Sequence, residues 1–228
     1  MNTFGNIASP ATLNRSIAKT FLWMTIGLVV TGITSIVCLV TGLWYTILTT
    51  VPSLVILLVQ LGIVIWFSAS MRTASPTKLK TLFMLYAVSL GVTLTPISLA
   101  YSSGLIAMAF FITAIYFGLL TIVGFTTKKD LSKMGTLCFV GLLTMVITQL
   151  VMMLFRFNME TRLFSVIGLL LFTGITAWDM QRMKVGLANT DGVIQEKFSI
   201  YMAFEIYLDF INIFLYVLRL LGLGSNQD

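Results

Sequence analysis

Three of the chain's eight acidic residues, Asp179, Glu205 and Asp209, fall within long apolar runs. In AFEIYLDFINIFLYVLRLLG (203–222) the polar residues Glu205, Asp209, Asn212, Tyr216 and Arg219 recur at steps of four and three, which is one face of a helix. An acid at the centre of a lipid-facing helix costs about 2.5 to 3.5 kcal/mol, whereas each good apolar residue returns about 0.3 to 0.6 kcal/mol. Glu205 and Asp209 together would cancel most of what this run gains, so the stripe has to face protein or a wet cavity. Sheltered carboxylates have two uses. A pair that meets cannot ionise both groups cheaply and shares a proton. Carboxylates are also hard oxygen ligands of the kind calcium takes. Since a tight calcium site needs about six to eight oxygens, three acids suit a weak, transient site better than a closed cage.

Asp179 lies in TGITAWDMQRMK (173–184), with Thr173 and Thr176 roughly on its face. It reads either as an interfacial acid or as a partner for Arg72, which ends an earlier apolar run on the same side of the membrane. Arg72 equally serves as part of a basic loop with Lys78 and Lys80. Tyr86, Ser89 and Thr93 are spaced by three and four and, with Glu205 and Asn212, are candidate wall residues of a cavity or ion path. Their hydroxyls are equally suited to bonding their own backbone. Arg219 reads as a residue that snorkels to the interface, and Tyr216 as a packing aromatic.

The absence of histidine removes Ser-His and Cys-His nucleophile systems and the commonest metal ligand. Cys38 and Cys138 sit inside apolar runs and read as buried, inert thiols, with no disulfide framework. No glycine-rich phosphate loop, paired zinc cysteines or basic face for nucleic acid is present. No cofactor and no nucleic-acid partner are expected; calcium would be cargo.

The residues that could carry chemistry must be positioned by membrane helices. Hydrophobic residues make up 58% of the chain and charged residues only 10%, far below the roughly one-quarter charged share of soluble domains. Apolar windows long enough to cross a bilayer occur near 20–41, 50–70, 79–100, 105–125, 134–155, 163–183 and 199–219. The expectation is one seven-span domain over 20–222, with a short polar leader (1–19) and a short tail (223–228). Eleven of the fourteen Lys and Arg residues fall on one set of alternate sides and three on the other. By the positive-inside rule the N-terminus is cytoplasmic and the C-terminus outside. The net charge of +6 is therefore topological.

Four stretches, SPTKLKTLFMLYAVSLGVTLTPI (75–97), FTTKKDLSKMG (125–135), AWDMQRMK (177–184) and above all IYLDFINIFLYVLRLLG (206–222), identify a relationship. The chain resembles the Bax inhibitor family, also called the transmembrane Bax inhibitor motif family, and looks most like its bacterial members. The resemblance implies an all-α integral membrane fold of seven helices, the last enclosed by the other six, in a bacterial inner (plasma) membrane. It implies a pH-sensitive calcium leak, an aspartate pair falling on Asp179 and Asp209 as pH sensor, and a latch on Arg72. Two departures stand out: Glu205 is an extra acid, and the second span has Gln60 where some members carry a carboxylate. Depth alone does not supply the pair, because the span ends put Asp179 about 6 Å and Asp209 about 15 Å from the cytoplasmic side.

Two rival functions remain. An intramembrane aspartyl protease also uses two aspartates on late helices, but Asp209 lacks the glycine-flanked context of those enzymes and no proline follows Pro96. A regulator would act by binding a membrane-anchored protease or a stress or cell-death factor, roles that the family resemblance implies.

Overall fold

Ser9 starts the first helix, α1 (Pro10–Thr41): its Oγ accepts from the Thr12 N–H at 3.3 Å, and Pro10 occupies the first turn, where a missing N–H costs nothing. The chain is described by a computed structural model over residues 9–155 and 161–225. Arg156, Glu160 and Asp228, together with 1–8 of the leader and 226–228 of the tail, lie outside the described residues. At 32 residues α1 is about 48 Å long, against a hydrocarbon core of about 30 Å, so its polar first turns project past the bilayer as helix. It stops at Gly42, whose φ of 72° is a left-handed conformation suited to glycine.

The second span begins with a sharp corner. α2 (Leu43–Thr50) and α3 (Ser53–Ser70) are bent by 99° where extended Val51 meets Pro52. α2 buries none of its residues and carries Trp44 and Tyr45, ring centroids 5.8 Å apart, the residue types that favour the headgroup level. The expected span at 50–70 is thus α3, with α2 as an approach helix that apolar periodicity did not separate. α4 (Pro76–Leu94) and the single turn α5 (Ile97–Ala100) form the third span, interrupted next to Pro96. α6 (Ser103–Thr126), α7 (Ser132–Phe155), α8 (Thr161–Ala188) and α9 (Gly192–Ser225) complete the order. Every regular element among the described residues is a helix. Six spans pass as single helices or runs, and the bent pair supplies the seventh.

The chain forms two compact units. One holds the described residues of Met1–Tyr101 and Met183–Tyr207. Its core is aromatic: Phe67 lies 4.1 Å from Phe204 between centroids, Phe83 lies 5.2 Å from Tyr207, and Tyr86 lies 5.1 Å from Phe204. The Tyr207 hydroxyl meets Thr31 Oγ1 at 2.6 Å, and that threonine also donates to the carbonyls of Gly27 and Ala87. Buried polar atoms here are satisfied across helices, as a lipid-embedded protein requires.

The other unit holds the described residues of Ser102–Arg182 and Leu208–Asp228. Phe110 and Phe117 approach Phe210 edge-on at 5.4 and 5.5 Å, and Tyr116 bonds Thr173 at 2.7 Å. α9 contributes to both units and is the most buried long helix: 56% of its apolar window is buried, against 11% for the window in α7. The helix that carries Glu205 and Asp209 is therefore the one most sheltered by protein.

Candidate functional site

Asp179 is 2% exposed on α8. Arg182, three residues on, places Nη2 3.0 Å from its Oδ1, and the guanidinium lies 4.7 Å from the centre of the Trp178 ring. Trp178 in turn covers Gly135 of α7 so closely that a Cβ there would collide with its ring. Gln181 accepts from the Leu131 N–H at 2.9 Å and donates to the Lys129 carbonyl at 2.8 Å. The segment AWDMQRMK is thus a unit: Trp178 and Gln181 fix the start of α7 and the loop before it, while Arg182 holds the buried carboxylate.

Asp209 is 3% exposed on α9. Two turns from it α9 meets α8. Phe172 and Tyr216 pack with ring centroids 5.9 Å apart, and Gly168 gives Tyr216 room, since a Cβ at Gly168 would run into that ring. Phe172 precedes Asp179 by seven residues, and Tyr216 follows Asp209 by seven. Seven residues are about two turns, so each aspartate shares a helix face with its aromatic neighbour, about 10 Å along the axis. α8 and α9 run in opposite directions here. Both aspartates are buried, on helices that meet through Gly168, Phe172 and Tyr216. α8 runs on to Ala188 and α9 starts at Gly192, both beyond the expected span ends.

The remaining residues singled out from sequence fall as follows. Glu205, one turn before Asp209, is half-buried. Asn212 is half-buried and donates to the Leu208 carbonyl at 2.8 Å, a bond within its own helix. Arg219 is exposed, its guanidinium 6.0 Å from the Tyr216 ring centre. Thr173 bonds Tyr116, whereas Thr176, fully buried one turn before Asp179, has a hydroxyl with no hydrogen-bond partner among the described residues. On α4, Tyr86 is buried in the aromatic core, Ser89 donates to the Tyr86 carbonyl at 2.8 Å, and Thr93 donates to Leu90 while accepting from Gln60 at 3.0 Å. Arg72 is exposed in the turn after α3, within the other unit, and its carbonyl accepts from Lys197. Cys38 is buried, but Cys138 is only half-buried, beside Gly174, which corrects the expectation for that thiol. Among the described residues no group of three acidic or cysteine side chains is gathered to hold a metal ion.

Sequence reasoning missed Arg182 and Gln181. The signal for Arg182 was present as an acid and a base three apart on a helix, but the arginine had been assigned to the loop charge. Nothing local marks Gln181, whose partners lie fifty residues away.

A sequence model of the family described as "Inhibitor of apoptosis-promoting Bax1" matches residues 13–227. The chain belongs to the Bax inhibitor family. Among its relatives is the Escherichia coli (strain K12) inner membrane protein YbhL, 35% identical over 221 residues that cover 93% of each chain. A Borreliella burgdorferi protein described as uncharacterized is 34% identical over 220 residues, covering 94% of each. Uncharacterized protein RP147 of Rickettsia prowazekii is 34% identical over 213 residues, 92% of this chain and 90% of its own. As a multi-span member of this family, the protein contacts the lipid bilayer through the exposed apolar faces of its helices.

Proposed function

We propose that the protein is a pH-sensitive leak for calcium, gated by a proton shared between Asp179 and Asp209. What supports the reading is that both acids are almost wholly buried, each seven residues from one partner of the Phe172–Tyr216 contact between α8 and α9. With the pair ionised, its charge attracts Arg182 on the same helix and, in the closed state, Arg72 as a latch. Uptake of a proton by the pair removes charge and weakens both attractions, so acid opens the leak and rising pH closes it. Glu205 and Asn212 extend the polar stripe along α9. Carboxylate and amide oxygens of this kind hold calcium weakly and transiently, as conduction requires. The charge asymmetry of the loops supports a cytoplasmic N-terminus and an outer C-terminus, and the name of the Escherichia coli relative supports a bacterial inner membrane.

The test is calcium flux into proteoliposomes holding the purified chain alone, across a series from mildly acidic to mildly alkaline pH. Flux that rises toward acid in the wild type and loses that dependence in Asp179→Asn and Asp209→Asn supports the proposal. A flat profile, or the absence of flux expected of a regulator that works only through a bound protein, overturns it.

A further inference from the structure

Away from the aspartates, α1, the start of α4 and the first turns of α9 enclose a cavity of about 320 Å³ lined by Lys19, Trp23, Lys80, Gln195, Glu196 and Ser199, among others. Its floor is hydrogen-bonded across helices. Ser16 donates to Gln195 Oε1 at 3.0 Å, the Gln195 amide donates to the carbonyls of Leu187 and Thr190, and Thr20 bonds Ser199 at 2.7 Å. Gln195 and Ser199 are both more than nine-tenths buried. In the wall, Lys80 Nζ lies 2.7 Å from Glu196 and 5.2 Å from the centre of the Trp23 ring. Lys19 has no acidic partner among the described residues. Lys80 and Glu196 neutralise each other, which leaves the cavity with one uncompensated positive charge. Its ligand is therefore an anion.

Depth decides which anion. Lys19 lies 22 residues before the end of α1 at Thr41, and Lys80 lies 20 residues before the end of α5 at Ala100. These are distances of about 33 and 30 Å along helices, close to the hydrocarbon thickness of about 30 Å. With the far ends at one interface, where Trp44 and Tyr45 stand, both ammonium groups reach headgroup level at the other. The lining is partly apolar, with Leu22, Trp23 and Ile200 beside the polar floor, as suits a group that is charged at one end and continuous with acyl chain at the other. We propose that this cavity binds the phosphate of an anionic phospholipid headgroup, with Lys19 as its principal contact.

The full chain in detergent, supplied with phosphatidylglycerol or phosphatidylcholine, is examined by native mass spectrometry for retained lipid, and by thermal unfolding with inorganic phosphate as a separate arm. Wild type and Lys19→Arg are expected to retain one phosphatidylglycerol in preference to phosphatidylcholine. Lys19→Ala is expected to bind it about fivefold more weakly, the effect of one lysine at an anionic surface, while the exposed loop variant Lys129→Ala behaves as wild type. Lys19 is exposed and its loss leaves the floor intact, so circular dichroism of the variants should coincide. Equal retention by Lys19→Ala and wild type, no preference over phosphatidylcholine, or equal loss in Lys129→Ala overturns the site. Protection by inorganic phosphate equal to that by phosphatidylglycerol at the same concentration overturns the lipid assignment.

Discussion

Phe172 of α8 and Tyr216 of α9 pack at 5.9 Å between ring centres, over the space that Gly168 leaves open. The contact joins α8 to α9 seven residues from Asp179 on the one and from Asp209 on the other.

If that contact positions the pair, enlarging Gly168 should disturb both stability and pH response. Gly168→Leu forces the Tyr216 ring aside, and overpacking of this sort costs about 1 to 3 kcal/mol. Thermal unfolding in detergent reads the loss. The accompanying expectation is a blunted pH dependence of calcium flux in whatever protein remains folded.

Arg182 should be the residue on which buried Asp179 depends for charge compensation. Arg182→Ala is expected to destabilise by about 1 to 3 kcal/mol, the cost of taking one partner from a buried polar group, with Arg182→Lys recovering part of it. Asp179→Asn in the same background should recover stability, because the group left without its cation is then neutral. Unfolding of the double variant checks the coupling.

Tyr207→Phe provides a contrast from the other unit. It deletes the 2.6 Å bond to Thr31 but keeps the ring against Phe83. The expected cost is about 0.5 to 1.5 kcal/mol, with the shape of the pH–flux curve unchanged.

Asp130 separates loop titration from the proposed sensor. It is fully exposed, and the side-chain and backbone hydrogen bonds from Ser132, followed by nearby Lys133, hold its carboxyl below the usual aspartate value. A group lowered on folding contributes stability that is present above its unfolded pKa and is lost as pH falls through the folded one. Its window therefore lies below about pH 4. Asp130→Ala should leave the pH–flux profile superimposable on wild type from mildly acidic pH upward.

The membrane fold was legible because bilayer insertion is written in local composition: an apolar run of sufficient length becomes a helix whatever its neighbours are. The corner at Val51–Pro52 and the early start of α1 at Pro10 were less legible, since apolar windows do not mark where a capped polar turn continues a helix. Asp209 could be read as sheltered from its cost in lipid alone, and α9 is indeed the most buried helix. Arg182 could have been read from its spacing to Asp179 and was not.

The sequence by itself determined which segments cross the membrane, which acids they carry and to which family the chain belongs, because each depends on residues close together along the chain. Only the tertiary structure decided that Phe172 of α8 packs on Tyr216 of α9 and that both aspartates are buried. That packing depends on how far α8 slides along α9, to which the missing Cβ of Gly168 contributes, and no single helix contains that information.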